Sequence, residues 1–247
     1  MRFILAFLLA LLLSSNAFAA ITYDTSASVI GSGVTSTSVN HTLGGAPCTS
    51  SNSILIIGIS WNDSTQTISS VTVAGNAATN IDGVTWDYGQ ERLEYWTYVG
   101  GSGTRSIAVS FSGSVGVFLS VSSYCGVDQI TSVGSAVANF GTTEGAASVT
   151  VTSATGELVV DMVASTAWSG ESLVMTPSGT QRIYSEYNPG GPNNVILASS
   201  DSAGAASVTM TWTQTSASNS GPWGQIAVPL KPAPAAAVFH RHNVVMQ

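Results

Sequence analysis

Charge is what this chain has least of. Only 8% of its residues are Asp, Glu, Lys or Arg, against roughly 25% in ordinary soluble domains. The few charges lean one way, with 6 Lys and Arg against 13 Asp and Glu. Nucleic acids and anionic membranes are gripped by clustered Lys and Arg, so neither is an expected partner. Histidine is scarce too: His41, His240 and His242 are the 3 present. His240-x-His242 offers two ligands near the C-terminus, too few to specify a metal, and reads as a solvated tail. No G-x-S-x-G, H-E-x-x-H, P-loop or C-x-x-C motif occurs, which removes the common signatures of hydrolases, zinc proteases, nucleotide binders and redox sites. Beyond the first residues no segment holds a 3.6-residue period, and no apolar run reaches the roughly 20 residues of a membrane-spanning helix.

The N-terminus is the exception to this polarity. MRFILAFLLALLLSSNAFA has one basic residue, Arg2, an apolar core over 3–13 and the small-x-small triplet Ala17-Phe18-Ala19. This pattern predicts a secretory signal peptide over 1–19. No Cys lies near the cut, which argues against a lipid anchor there. The expected mature chain has no membrane span, carries a net charge of −8 once Arg2 is lost, and is secreted or held at the cell surface, with the periplasm as an alternative. Export places Cys48 and Cys125 in an oxidising compartment, where an even count favours a bridge. That bridge closes a 77-residue loop, which the loop-entropy model values at about 4 kcal/mol. Two separate buried thiols are the other reading.

Strand signals fill the rest. Ile107, Val109 and Phe111 alternate with Ser106, Ala108, Ser110 and Ser112, and Val208, Met210 and Trp212 alternate with Ser207, Thr209, Thr211 and Thr213. A period of two with one apolar face marks a half-buried antiparallel strand. Residues 54–57 and 158–160 are apolar at successive positions, which predicts central strands covered on both faces. The strands also repeat. ILIIGIS (54–60), SVTVAGNAAT (70–79), GSGTRSIAVSFSGS (101–114) and FLSVSSY (118–124) recur in order as LVVDMVAS (158–165), SLVMTPSGTQ (172–181), SAGAASVTMTWTQT (202–215) and QIAVPLK (225–231). Gly75 matches Gly179 and Phe111 matches Trp212, offsets of 104 and 101.

Repetition at a steady offset defines architecture. The expectation is an all-β, antiparallel, jelly-roll-like β-sandwich with two similar halves, about 21–128 and 129–230, in one domain over 20–230. Two tandem Ig-like sandwiches are the alternative. A Pro/Ala-rich tail over 231–247 follows. Its last stretch, 238–247, is a frayed end or a strand that docks on a neighbouring copy, giving self-association.

Taken in order, SVNHTLGG, ILIIGISW, ISSVTVAGNAATN, EYWTYVGGSGTRSIAVSFSGS, SVSSYCGVDQ, SVTVTSATGELVVDMVA and IAVPLKP resemble a widespread secreted β-module of bacterial surface proteins and phage or environmental structural proteins. The resemblance covers 21–232. It implies a jelly-roll-like sandwich with an adhesive, carbohydrate-contacting or structural role, and brings no catalytic residues. Such modules often read SYSGVDQ or SYTGVDQ where this chain has Cys125, which supports a disulfide special to this member.

Aromatic residues and acids concentrate in one place. Asp87, Glu91 and Glu94 lie among Trp86, Tyr88, Tyr95, Trp96 and Tyr98. Arg92, Glu94, Trp96 and Tyr98 share one strand face by alternation. They read as a salt-bridged, aromatic-lined strand or as a sugar-stacking platform. A two-carboxylate glycosidase or lyase using Glu91 or Glu94 is the third reading. A second face, Arg182, Tyr184 and Glu186, runs into Tyr187, and Trp168 and Trp223 sit beside turns where rings can meet a ligand. Trp212 falls in an alternating apolar set and is expected in the core. His41 alternates with Val39 and Leu43 and is expected half-buried rather than catalytic. Asp63, Asp82 and Asp87 could hold a structural calcium ion; no other cofactor and no catalytic or metal-ligating set is indicated. The function expected is a non-enzymatic surface-structural or adhesive module that touches polysaccharide or a cell-surface glycan, with a carbohydrate-binding module and a glycosidase as alternatives.

Overall fold

The computed structural model describes residues 18–44, 48, 52–63, 65–86, 90–142, 145–168, 173–187, 193–215 and 221–234. The leader over 1–17, the tail stretch 238–247 and Asp87 lie outside them. Alternation becomes strand throughout, and no helix occurs among the described residues. The strands are β1 (Thr22–Leu43), β2 (Ser53–Asn62), β3 (Ile68–Val73), β4 (Asn76–Ala77), β5 (Thr79–Trp86), β6 (Glu91–Val99) and β7 (Gly103–Cys125) in the first half. The second half has β8 (Val137–Gly141), β9 (Ala147–Val151), β10 (Leu158–Trp168), β11 (Val174–Pro177), β12 (Thr180–Tyr187), β13 (Asn193–Ala203), β14 (Val208–Thr215) and β15 (Trp223–Leu230).

Strand pairing reveals one wiring used twice. In the second half a five-stranded sheet, β12-β13-β10-β15-β8, accompanies a three-stranded sheet, β11-β14-β9. The first half repeats both orders. β5-β6-β2-β7 is extended by the N-terminal part of β1, and β3-β7 by its C-terminal part. The first, second and third strand positions thus pair with the eighth, seventh and sixth. These nested pairs are β8–β15, β9–β14 and β10–β13. In the first half they are Ile30↔Phe118, Val39↔Ile107 and Ile57↔Trp96. Such nesting is the jelly-roll arrangement, modified because the fifth position pairs with the sixth on the larger sheet.

The halves differ in continuity. In the first, β1 and β7 run unbroken through both sheets. β1 slips register between Gly31 and Ser36, where Gly33 has φ of 63°, a left-handed setting that glycine adopts without Cβ strain. The sheet therefore curls almost into a barrel. In the second half separate strands make the two sheets.

Three apolar layers follow. Inside the first sandwich Leu55, Ile57, Ile59 and Trp61 of β2 meet Val71, Val73, Ile107, Val109 and Phe111. Inside the second, Val159 and Val163 of β10 meet Met175, Met210 and Trp212. Between them the two larger sheets lie back to back. Ile54, Ile56, Leu93 and Tyr95 face Val160, Met162, Ile226 and Val228 in one cluster. Both central strands, β2 and β10, are thus covered on both faces, which is why they are apolar at successive positions. One tight contact between them joins equivalent residues. Gly58 and Met162 are 104 apart, and a Cβ on Gly58 would collide with the Met162 thioether. Likewise a Cβ on Gly224 would strike the Trp86 ring.

The expected all-β, antiparallel, jelly-roll-like sandwich with two similar halves is what forms. As in the tandem alternative, each half closes its own sandwich, here with jelly-roll rather than Ig wiring, and the halves meet through their larger sheets. Cys48 and Cys125 are bridged, with Cα atoms 5.0 Å apart.

Candidate functional site

At the end of the seam, where β1 bends, the apolar layer opens into a cleft of about 200 Å³. Alternation decides what faces it. On β6, Glu91 continues the row Leu93 and Tyr95 that points into the seam; on β2, Ser60 continues the row Ile54 and Ile56. Phe118 of β7 forms one wall, and Tyr187 and Val195 of the second half form the other. The cleft thus needs both sandwiches. The Phe118 and Tyr187 rings meet edge to face, centroids 6.2 Å apart. Ser60 is 1% exposed and its Oγ has no hydrogen-bond partner. Glu91 is 9% exposed. At the rim Asn62 Oδ1 accepts from the Gly116 N–H at 2.8 Å.

The Ser60 hydroxyl is one of ten buried side-chain polar atoms without a partner among the described residues, and it lines an open space. The cleft offers a carboxylate that accepts hydrogen bonds, a hydroxyl that can donate or accept, and two rings. Its described lining holds no His, Lys or Cys.

Most of the residues marked by the sequence lie elsewhere. Arg92, Glu94, Trp96 and Tyr98 do share one face of β6, but it is the face turned toward the first sandwich's interior. Trp96 and Tyr98 are half-buried against that core. The Trp96 Nε1–H and the Asn80 Nδ2–H both donate to Glu94 Oε2 at 2.9 Å. Burial raises the Glu94 carboxyl above its ordinary value, against the pull of the Trp96 hydrogen bond and of Arg92. Arg92 lies over the Trp61 ring, 6.0 Å from its centroid. Glu91 and Glu94 therefore occupy opposite faces of β6 and do not form a pair across one ligand.

In the second half Tyr184 staples its own sheets: its hydroxyl donates to the Leu173 carbonyl at 3.0 Å and accepts from the Met175 N–H. Arg182 forks onto Asp201, with Nε to Oδ2 at 2.6 Å and Nη2 to Oδ1 at 3.0 Å, and its Cζ sits 4.3 Å from the Tyr23 ring centroid. That cluster ties β1 to β12 across the seam. Trp223 is a core residue, 6% exposed, covering Gly141, and is not placed to meet a ligand. Trp168 ends β10, and its side chain lies outside the described residues. Among the aromatic candidates with described side chains, only Tyr187 lines the cleft.

Two buried polar clusters serve structure. Asp161 is fully buried in the second sandwich. Its Oδ1 accepts from the Ser200 N–H and Oγ–H, and its Oδ2 from Trp212 Nε1 and Gln225 Nε2, at 2.6–2.9 Å. Burial pushes its carboxyl up from 3.8 to about 6, against the downward pull of those bonds. His41 is buried, not half-buried as its alternation suggests, and burial lowers its imidazole from the ordinary value. His41 Nε2 meets Ser123 Oγ at 2.9 Å, and Ser123 Oγ donates to Asp24 Oδ2 at 2.9 Å. The hydroxyl stands between acid and imidazole, whereas a catalytic triad needs the imidazole between the other two. Asp63 Oδ1 is spent on Thr65 and Gln66, and Asp82 on the Gly83 N–H. Among the described residues the one metal-sized cluster is Asp24 with Cys48 and Cys125, whose sulfurs are bonded to each other.

Sequence reasoning missed Ser60 and Asp161. Ser60 carried a faint signal, as the hydroxyl that ends an otherwise apolar row in ILIIGIS. Asp161 carried a strong one. It replaces Ile57 of the first copy, in step with the exchange of Phe111 for Trp212, which supplies an indole donor. A scan against protein-family models, a search of curated proteins and a search of solved structures each found no match to this chain.

Proposed function

We propose that this chain is a non-catalytic, exported scaffold of tandem jelly rolls that attaches to polysaccharide at a cell surface. The observation that supports it is the seam. Two sandwiches are joined through an apolar pair of sheets whose central strands are covered on both faces, so the molecule presents loops and edges rather than a deep reactive centre. Jelly rolls also build lectin and capsid domains, an analogy of architecture rather than of site. The buried carboxylates Asp161 and Asp201 are consumed by structural bonds. Export rests on the leader pattern, and the Cys48–Cys125 bridge suits an oxidising compartment. No helix among the described residues is long and apolar enough to cross a membrane.

Sedimentation of the mature chain with insoluble cellulose, chitin and peptidoglycan tests the reading. Retention on at least one, with no release of reducing sugar, is the expected result. Release of sugar that Glu91→Gln or Glu94→Gln abolishes would replace it with a glycosidase.

A further inference from the structure

We infer that reduction of the Cys48–Cys125 bridge turns it into a zinc site, with the two thiolates and the Asp24 carboxylate as ligands. One ligand atom from each of these residues lies within 4.8 Å of the other two. Zinc bonds run to about 2.3 Å for sulfur and about 2.0–2.2 Å for a carboxylate oxygen, so small side-chain rotations bring all three onto one ion. The ligands come from three parts of the first lobe: Asp24 from the start of β1, Cys48 from the connection into β2, and Cys125 from the end of β7. β1 slips register against β7 between Tyr23 and Ser26, the kind of irregularity that re-aims a side chain, and Asp24 lies within it. Its carboxylate is then fixed by two donors on one oxygen. The Gly44 N–H reaches Oδ2 at 2.8 Å and the Ser123 hydroxyl at 2.9 Å, which leaves Oδ1 for an ion. Behind Ser123, at 2.9 Å, stands His41 Nε2. Such a hydrogen-bonded support orients a ligand carboxylate in metal sites.

The donor set selects the ion. Thiolates suit zinc, whereas magnesium and calcium take oxygen ligands throughout. Three protein ligands leave the fourth tetrahedral position to water. Cys125 is buried while Cys48 and Asp24 are half-buried, so reductant and ion both enter from the Cys48 side. A trialkylphosphine breaks the S–S bond; water gives its oxygen to the phosphine, which becomes the phosphine oxide, and its two protons to the sulfurs. Zinc then replaces both thiol protons, which pass to solvent. The disulfide and the ion are thus alternative ties between the same two segments, one for oxidising and one for reducing surroundings.

Titration of the phosphine-reduced chain with cobalt(II), whose thiolate charge-transfer absorption reports sulfur ligation, followed by displacement with zinc, tests this. Near-ultraviolet circular dichroism and thermal scans follow the fold in parallel. The absorption should appear in the reduced chain and not in the oxidised one, and zinc should raise the melting temperature of the reduced chain alone. Cys48→Ser and Cys125→Ser should each lose that zinc-dependent rise. Asp24→Asn should keep the absorption but weaken zinc by about tenfold or more, since even the loss of an outer-shell partner costs about 10–100-fold. If reduction itself unfolds the chain, zinc should restore the near-ultraviolet signal, because binding and folding are then one equilibrium; failure to do so overturns the site. No absorption from the reduced wild-type chain overturns it as well. Absorption that persists in the oxidised chain, or that vanishes on changing His240 and His242 to Ala, places the ion elsewhere and overturns it. Equal zinc affinity in Asp24→Asn overturns the three-ligand arrangement.

Discussion

The contact between Gly58 and Met162 is the place to test whether the two sandwiches are one body. Gly58→Ala adds a methyl group where the Met162 sulfur lies. Met162 is 1% exposed and sits within the seam cluster, so its flexible end has no free space to retreat into. Overpacking of this kind costs about 1–3 kcal/mol, less the roughly 0.4–1 kcal/mol that Gly→Ala returns by stiffening the unfolded chain. Met162→Ala opens a cavity instead, at about 2–5 kcal/mol. The double variant puts the new methyl into the space that the thioether leaves. Its cost should fall below the sum of the singles by about 1 kcal/mol or more, the coupling expected of touching residues. Urea unfolding of the four proteins measures this. In a chain of this size each kcal/mol moves the midpoint by roughly 2–4 °C, so thermal scans suffice as a check. Strict additivity would mean that the strands do not touch, and the back-to-back arrangement would fall with it.

Three further outcomes follow from named groups. The Asp161 carboxyl holds its proton more tightly folded than unfolded, so its contribution is fully present below the unfolded value of 3.8 and is lost as pH rises through about 6. Over that window the stability of the wild-type chain relative to Asp161→Asn should fall by about 3 kcal/mol; a difference that stays flat from pH 3.5 to 7 in urea titrations would refute it. Reducing the Cys48–Cys125 bridge should cost about 4 kcal/mol for its 77-residue loop, and an unchanged melting temperature under reductant would show that the bridge constrains little. Arg182→Met removes the guanidinium that lies over Tyr23 and strands the buried Asp201 carboxylate, at about 3 kcal/mol; adding Asp201→Asn should restore part of that loss in chemical denaturation.

Much of the architecture was legible because it rests on alternation, and alternation is a property of the local sequence. β14 shows one apolar face at Val208, Met210 and Trp212, and β2 shows two, so even the central position of β2 could be read. The duplicate spacing disclosed the halves. What alternation does not carry is which sheet a strand joins. Nothing local to 103–125 says that one strand serves two sheets, because that depends on a bend made by distant β1. The same limit hid the cleft. Face parity put Trp96 and Tyr98 together correctly, but not whether their face was solvent or the inside of a sandwich. Ser60 and Tyr187 are 127 residues apart, and only the stacking of two folded halves brings them to one opening.

The unbroken course of β1 and β7 gives the halves unequal resilience. The first lobe is a single hydrogen-bonded web, so neither of its layers can peel away without tearing backbone pairs along both long strands. In the second lobe the short β11-β14-β9 flap is held to its neighbour chiefly by side chains, Trp212 and Met210 foremost. Heat, proteases or mechanical pull at a surface should therefore lift that flap first, leaving the curled lobe intact as the last part to yield.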